Sequence, residues 1–473
     1  MVKSTIIGTA MSLGAQLDSS GIEAKGRRND AFFYVVAAAV GAITGVIGTV
    51  LHLGTNQLLH WPHWLQARTG LGDIAFLPIA GLVAATMVVL SVWIVRRFAP
   101  EASGSGVQEI EGAMAGLRQV RWYRVLPVKF VGGFLSLGSG LVIGREGPTI
   151  HMGASVAQAA SERFRFATFY ARGLLAAGAA AGLAAAFGAP LASVLFVIEE
   201  TRRQFPYSLK TYTGVMIAAA MSGVVTAALA GQQPFMKMAV PDLPLAFLPA
   251  FAVLGVLLGF LGVVFNRCLV WSLDSALALG KRTSFYVVPV GVGLVVGVLL
   301  IVRPEATMGG EDLAVQLVNE KLPLLILGVI VLIRFVMTMA SYSTGVPGGI
   351  FAPILSLATA FGLFYGMGLD LVLPLPEGAA GALAVAAMGG LFSATVRAPL
   401  VGVVLVAELT GAYSTLIPAL ITCLLANLVA DWLGGRPIYE VLLERTLRLE
   451  GKSLPAESDA PDQPAQLGGW DQR

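Results

Sequence analysis

The feature that most limits what this chain can fold into is its series of long apolar runs. Eleven fall at about 31–57, 73–98, 122–143, 171–200, 212–231, 245–276, 284–302, 322–343, 350–373, 380–412 and 414–433. Inside a bilayer no water can satisfy backbone N–H and C=O groups, so only helices and closed barrels can span it. A barrel strand reads as about ten residues of alternating polarity. These runs are continuous and about twice that length, near the ~20 residues a spanning helix needs. The chain is therefore predicted to be an all-α polytopic membrane protein embedded in a lipid bilayer. Its 12% charged residues are about half the share of a typical soluble domain. That excludes a soluble enzyme, a disulfide scaffold and a disordered chain. The net charge of +3 is too small to argue for a nucleic-acid partner. Cys268 and Cys423 both lie in apolar runs and read as small buried hydrophobes rather than a disulfide.

The chain also repeats itself. Residues 129–148 lie over 334–353 at a constant offset of 205. Lys129-Phe130-Val131 falls on Arg334-Phe335-Val336, Gly144 on Gly349 and Pro148 on Pro353. Farther on, Ala189-Pro190-Leu191 matches Ala398-Pro399-Leu400, and Glu199 matches Glu408. The expected divisions are residues 31–231 for the first membrane repeat and 245–448 for the second. A cytoplasmic lead covers 1–30, where Lys25, Arg27 and Arg28 precede the first span, as the positive-inside rule expects. A short disordered tail covers 449–473. The first run is too long for the h-region of a signal peptide. Runs longer than 25 residues that contain Gly-Pro or Ala-Pro are read as two helices meeting within the membrane. Duplicated halves with such interruptions are the pattern of secondary transporters, whose sites lie where broken helices meet near the midplane. This places the site around 144–148 and 349–353. The plainer alternative is a pair of helix-packing motifs.

Four short pieces carry chemistry: GSG at 104–106 within GSGVQEIEG, GREGP at 144–148, GVPGGIFAP at 345–353 and GRPIY at 435–439. In this order they resemble the CLC family of chloride channels and chloride/proton exchangers, over about 31–448. The resemblance implies an all-helical fold of two inverted repeats with a midplane anion site. It also implies a homodimer with one pore per subunit. It fits the bacterial members, which lack regulatory domains after the pore and lie in the inner membrane with both termini cytoplasmic. No cofactor is implied; the transported species are chloride and protons.

The physics of those residues can be read beside the resemblance. An anion in a low-dielectric core needs donors without a full opposite charge that would trap it. Helix N-termini supply free N–H groups and a partial positive charge, and glycines let those groups approach. Ser105 offers a hydroxyl, although alone it reads equally well as a helix N-cap. Tyr439 offers another, although alone it reads better as an interfacial belt tyrosine. The resemblance assigns both to the central chloride, together with the backbone N–H groups of Ile350 and Phe351, and places Gly147 in the outer part of the site. Glu146 stands at a helix start in mid-membrane, where the other repeat carries Phe351. An intramembrane carboxylate is a functional hypothesis by default, and at a helix N-terminus it can compete with chloride until protonation frees it. The resemblance makes it the external gate and proton acceptor.

Glu199 and Glu200 end the run LFVIEE ahead of Arg202 and Arg203. A plain helix end is the simple reading. The repeat pairs Glu199, not Glu200, with Glu408. In exchangers of the family the second carboxylate takes protons from the cytoplasm, whereas the channels usually carry an apolar residue there. Glu200 thus points to exchange over a passive channel, and the resemblance implies about two chloride ions per proton. Glu111 is a weaker candidate partner, and Arg145 either tunes the outer mouth or pairs with an acid. Gln108 stands where the family commonly has proline, which would pre-organise the helix start. No metal spacing or catalytic constellation is visible, so a membrane enzyme or scaffold is the lesser alternative.

Overall fold

A computed structural model of the chain describes residues 2–202, 204–241, 243–319 and 322–452. The first half comprises α1 (Val2–Leu58), α2 (Trp61–Thr69), α3 (Asp73–Phe98), α4 (Val107–Met114), α5 (Trp122–Gly138), α6 (Glu146–Phe164), α7 (Thr168–Phe187), α8 (Pro190–Glu200) and α9 (Leu209–Ala230). The second comprises α10 (Leu248–Arg282), α11 (Val287–Val302), α12 (Glu311–Asn319), α13 (Leu324–Ser343), α14 (Phe351–Asp370), α15 (Ala379–Val396), α16 (Pro399–Thr410) and α17 (Leu416–Trp432), and α18 (Ile438–Leu449) follows. Nine helices among the described residues are long and apolar enough to cross a membrane. The chain is thus the all-helical membrane protein that its apolar runs predict.

Proline chemistry divides the two longest interrupted runs as expected. After α7 the chain turns at Gly188, with φ +63°, and Pro190 opens α8 as its first residue. After α15 it turns at Arg397, with φ +72°, and Pro399 opens α16. A proline there gives up only an N–H that has no intrahelical partner. Hydropathy alone missed α6, because Glu146, His151, Gln158, Glu162 and Arg163 dilute its apolar content. Its first half is buried inside the protein, so it never needed a lipid-facing surface. The backbone of α1 runs from Val2 to Leu58, through the N-terminal segment and the first span. Leu449 closes α18 and Glu450 pairs with Arg118; the rest of the expected tail, from residue 453, lies outside the described residues.

The repeats meet about a two-fold relation that can be read bond by bond. Gly144 and Gly349, equivalents in sequence, exchange N–H···O bonds of 2.9 and 2.7 Å in an antiparallel bridge. Ser136 Oγ donates to the carbonyl of Pro347, while its equivalent Ser341 Oγ accepts from the N–H of Val142. Glu199 accepts from the N–H of Val401 at 3.0 Å, and Glu408 accepts from Ala192 at 2.7 Å and Leu191 at 3.2 Å. Residue i touching j′ while j touches i′ is the signature of two-fold symmetry. Equivalent residues paired with opposed chain directions agree with inverted repeats. Burial sorts the helices: 94% of the most apolar stretch of α15 and 78% of that of α7 lie inside the protein, against 33% for α9 and α17. The inner helices enclose the place where α4, α6 and α14 begin.

Candidate functional site

Three helix N-termini converge at the centre of the molecule. Helices α4, α6 and α14 start at Val107, Glu146 and Phe351, and none is capped by the side chain of its own N-cap residue, Gly106, Arg145 or Ile350. Short backbone pairings tie their leading loops together. Gly104 donates to Val346 O at 3.0 Å and Gly348 donates to Gly104 O at 3.1 Å, beside the Gly144–Gly349 bridge. Buried helix starts without caps leave N–H groups seeking an acceptor, and their dipoles favour an anion.

Ser105 sits between Gly104 at φ +63° and Gly106 at φ +93°, a left-handed pair that glycine adopts without the Cβ penalty. Its N–H donates to the Tyr342 hydroxyl at 3.3 Å. The carbonyls of Gly104 and Ser105 accept from Lys129 Nζ at 2.7 and 3.0 Å. The buried ammonium thereby holds both carbonyl oxygens, and Ser105 Oγ is left buried without a hydrogen-bond partner. Ser105 is therefore not a cap; the N-cap position of α4 belongs to Gly106. In the other repeat the equivalent Arg334 does the same work, donating to the carbonyls of Glu305, Thr307, Met308 and Gly309. A buried cation is tolerable when most of its donors are met in this way; Arg334 Nε is left without a partner.

Tyr439 is fully buried, which excludes a belt position at the membrane surface. Its ring stands edge-on to Phe351, 6.0 Å between centroids, and its hydroxyl also lacks a partner. Glu146 is 1% exposed. Its Oε1 accepts from the N–H of Phe351 at 2.7 Å, while Oε2 has no partner. The carboxylate of one repeat thus occupies the helix start of the other. Glycines make the slot: a Cβ on Gly144 would fall 2.0 Å from Oε2, and one on Gly349 would fall 2.2 Å from Oε1. A Cβ on Gly147 would meet Ser105 Cα at 2.7 Å. Ile350 is the buried N-cap residue of α14. Ser105, Glu146, Gly147, Ile350, Phe351 and Tyr439 are thereby brought into one cluster. Chemically it offers free helix-start N–H groups, two unpartnered hydroxyls and one carboxylate that can be present or withdrawn.

Glu200 lies apart from that cluster, at the end of α8, with its carboxyl beside that of Glu111 and close enough to share a hydrogen bond. Glu111 is 5% exposed, so the less favoured carboxylate is a direct neighbour of the favoured one. Glu199, next to it, is occupied in capping α16. On the other side of Glu146 a cavity of about 330 Å³ is lined by Gly144, Arg145, Met308 and Glu311. Arg145 pairs with Glu311 at 3.0 Å and donates from Nε to Ala186 O at 2.9 Å, so pairing with an acid is what it does. Gln108 does not prevent α4 from starting; its side chain is buried with Oε1 unpartnered. Sequence reasoning gave no role to Tyr342, which sits in an apolar run without a pattern. It marked Lys129 and Arg334 only as a repeat pair; their being cations inside apolar runs was the available signal. Cys268 and Cys423 are free thiols.

Comparison with known proteins agrees with this architecture. Residues 86–431 match the family described as voltage gated chloride channel. A protein named H(+)/Cl(-) exchange transporter ClcA from Vibrio parahaemolyticus serotype O3:K6 is 44% identical, with 88% of this chain and 90% of the relative aligned. Another of the same name from Salmonella paratyphi B is 40% identical, covering 92% of each. The crystal structure of a slow cyanobacterial Cl-/H+ antiporter superposes with a TM-score of 0.84 at 38% identity, covering 89% of this chain and 99% of that one. By its matched length and by its identity to these relatives, the chain belongs to the voltage-gated chloride channel (CLC) family.

Proposed function

We propose that the protein exchanges chloride for protons in opposite directions across the membrane, with about two anions per proton as the family resemblance implies. The observation that carries this reading is the Glu146 carboxylate, held on the N–H of Phe351 beside two unpartnered hydroxyls. Chloride and this carboxylate seek the same donors. Protonation removes the charge that holds the side chain, so a proton and an anion take turns at one place. Ser105 and Tyr439 hold the central anion with the backbone of Ile350 and Phe351, and Gly147 lines the outer part. Glu146 is the external gate and proton acceptor. Glu200, beside Glu111, delivers protons from the inner side. A passive channel would use the same pore, but would have no use for the buried carboxyl pair. The relatives named as H(+)/Cl(-) exchange transporters support exchange, and no enzymatic activity is assigned.

The protein works as a homodimer in the inner membrane of a bacterium, with residues 31–231 and 245–448 as its two repeats and both termini cytoplasmic. Basic residues favour this orientation. Contacts link one set of helix ends: Asp30 with Lys210, Phe32 with Phe164, Trp122 with Glu162, and Arg96 with Phe285. That set also carries Arg97, Arg121, Arg124, Arg163 and Arg165. The test is simultaneous chloride and proton flux from liposomes under a chloride gradient. Chloride efflux should drive protons uphill, and Glu200→Gln should abolish proton movement while anion flux persists. Chloride flux without proton movement in the unmodified protein would leave a channel instead.

A further inference from the structure

The end of the molecule that gathers these basic residues also carries a groove between α3 and α5, away from the anion site. It encloses about 570 Å³. Ile94, Pro127, Val128 and Val131 form its apolar walls, and Arg97 and Arg124 stand on its rim. The neighbouring arginines are occupied: Arg96 lies over the Phe285 ring at 4.0 Å, Arg121 pairs with Glu101 at 2.8 Å, and Arg118 pairs with Glu109 and Glu450. Arg97 and Arg124 have neither an ion pair nor a hydrogen bond among the described residues; each contacts only an adjacent aromatic ring, Phe98 and Tyr123, at 5.7 Å. Exposed Trp93 and Tyr123 set this rim at the level of the lipid headgroups, where amphipathic aromatic rings concentrate.

We infer that this groove binds an anionic phospholipid, its phosphate between the guanidiniums of Arg97 and Arg124 and an acyl chain along Ile94, Pro127 and Val131. Two unpaired guanidiniums are complementary to a phosphodiester, which takes planar forked donors well. The walls below them are apolar, as an acyl chain requires and a free phosphate ion does not. Basic pockets between membrane helices on the cytoplasmic side are a recognised way to hold anionic headgroups.

The test is lipid retention. The purified protein is exchanged into nanodiscs of equal phosphatidylglycerol and phosphatidylcholine with matched chains, then extracted, and retained lipid is counted by native mass spectrometry. Two arginines near the headgroups should enrich phosphatidylglycerol roughly 30-fold over phosphatidylcholine. R97Q/R124Q should bring the ratio close to one, with an unchanged size-exclusion profile. Arg68→Gln, which removes the same kind of charge from a different helix, should leave the enrichment intact. An excess of inorganic phosphate should not displace the lipid, because the acyl chain shares the binding. Equal retention of both lipids by the unmodified protein, displacement by inorganic phosphate, or enrichment that survives R97Q/R124Q would each overturn the assignment.

Discussion

Removing the Glu146 carboxylate should tighten chloride binding by an amount that can be worked from its contacts. Oε1 accepts from the Phe351 N–H at 2.7 Å, at the start of a twenty-residue helix. A hydrogen bond to a charged group contributes about 1.5–3 kcal/mol. An incoming chloride must displace that interaction before gaining its own. At about 1.4 kcal/mol per factor of ten, Glu146→Ala should raise chloride affinity roughly 10- to 150-fold. Isothermal titration of the detergent-purified protein measures this directly. The pH dependence gives a second readout with a definite sign. Protonating the carboxylate removes its charge, so chloride binding by the unmodified protein should strengthen as pH falls and approach that of the variant. Glu146→Ala should show no such slope, and Glu146→Gln should follow it. Equal chloride affinity in Glu146→Ala and the unmodified protein, or an undiminished pH slope in the variant, would refute the competition.

Ser105→Ala and Tyr439→Phe remove two neighbouring buried hydroxyls that make no well-formed hydrogen bond; poorly paired buried polar groups add little stability, so melting temperature should hold or rise while chloride binding weakens. Glu408→Gln should do the reverse. It weakens the link to Ala192 and Leu191 at the start of α8, so a thermal melt should register about 1 kcal/mol of lost capping while the ratio of anions to protons in the flux assay is unchanged. The last turn supplies a pH test outside the membrane. The hydrogen bond from Arg118 holds the Glu450 carboxyl below its ordinary value. A depressed carboxyl contributes stability above the ordinary carboxylate range and loses it as pH falls through the lowered value. The melting difference between the unmodified protein and Glu450→Gln should therefore be present at neutral pH and vanish in acid; a difference independent of pH would remove the ionic basis of this contact.

Much of this protein could be read from the sequence alone. The apolar runs required helices, because a bilayer leaves backbone groups nothing else to bond. The Ala-Pro pairs located two breaks, because proline cannot continue a helix but can open one. The offset of 205 already named Gly144 with Gly349 and Lys129 with Arg334. It could not say that the first pair bond to each other, or that the second pair each hold backbone carbonyls. Symmetry of sequence gives equivalence, and only packing decides whether equivalents touch. The same limit applied to α6, whose polar residues hide it from hydropathy until the surrounding helices are in place to bury them. Ser105 and Tyr439 read locally as a cap and a belt residue. Neither reading holds, because the N-cap of α4 falls on Gly106 and α18 returns to the centre with Tyr439 buried inside. Local chemistry set what each residue could do, and the tertiary structure decided which polar groups were left without partners, because only the packed helices fix which donors and acceptors are buried and which of them meet.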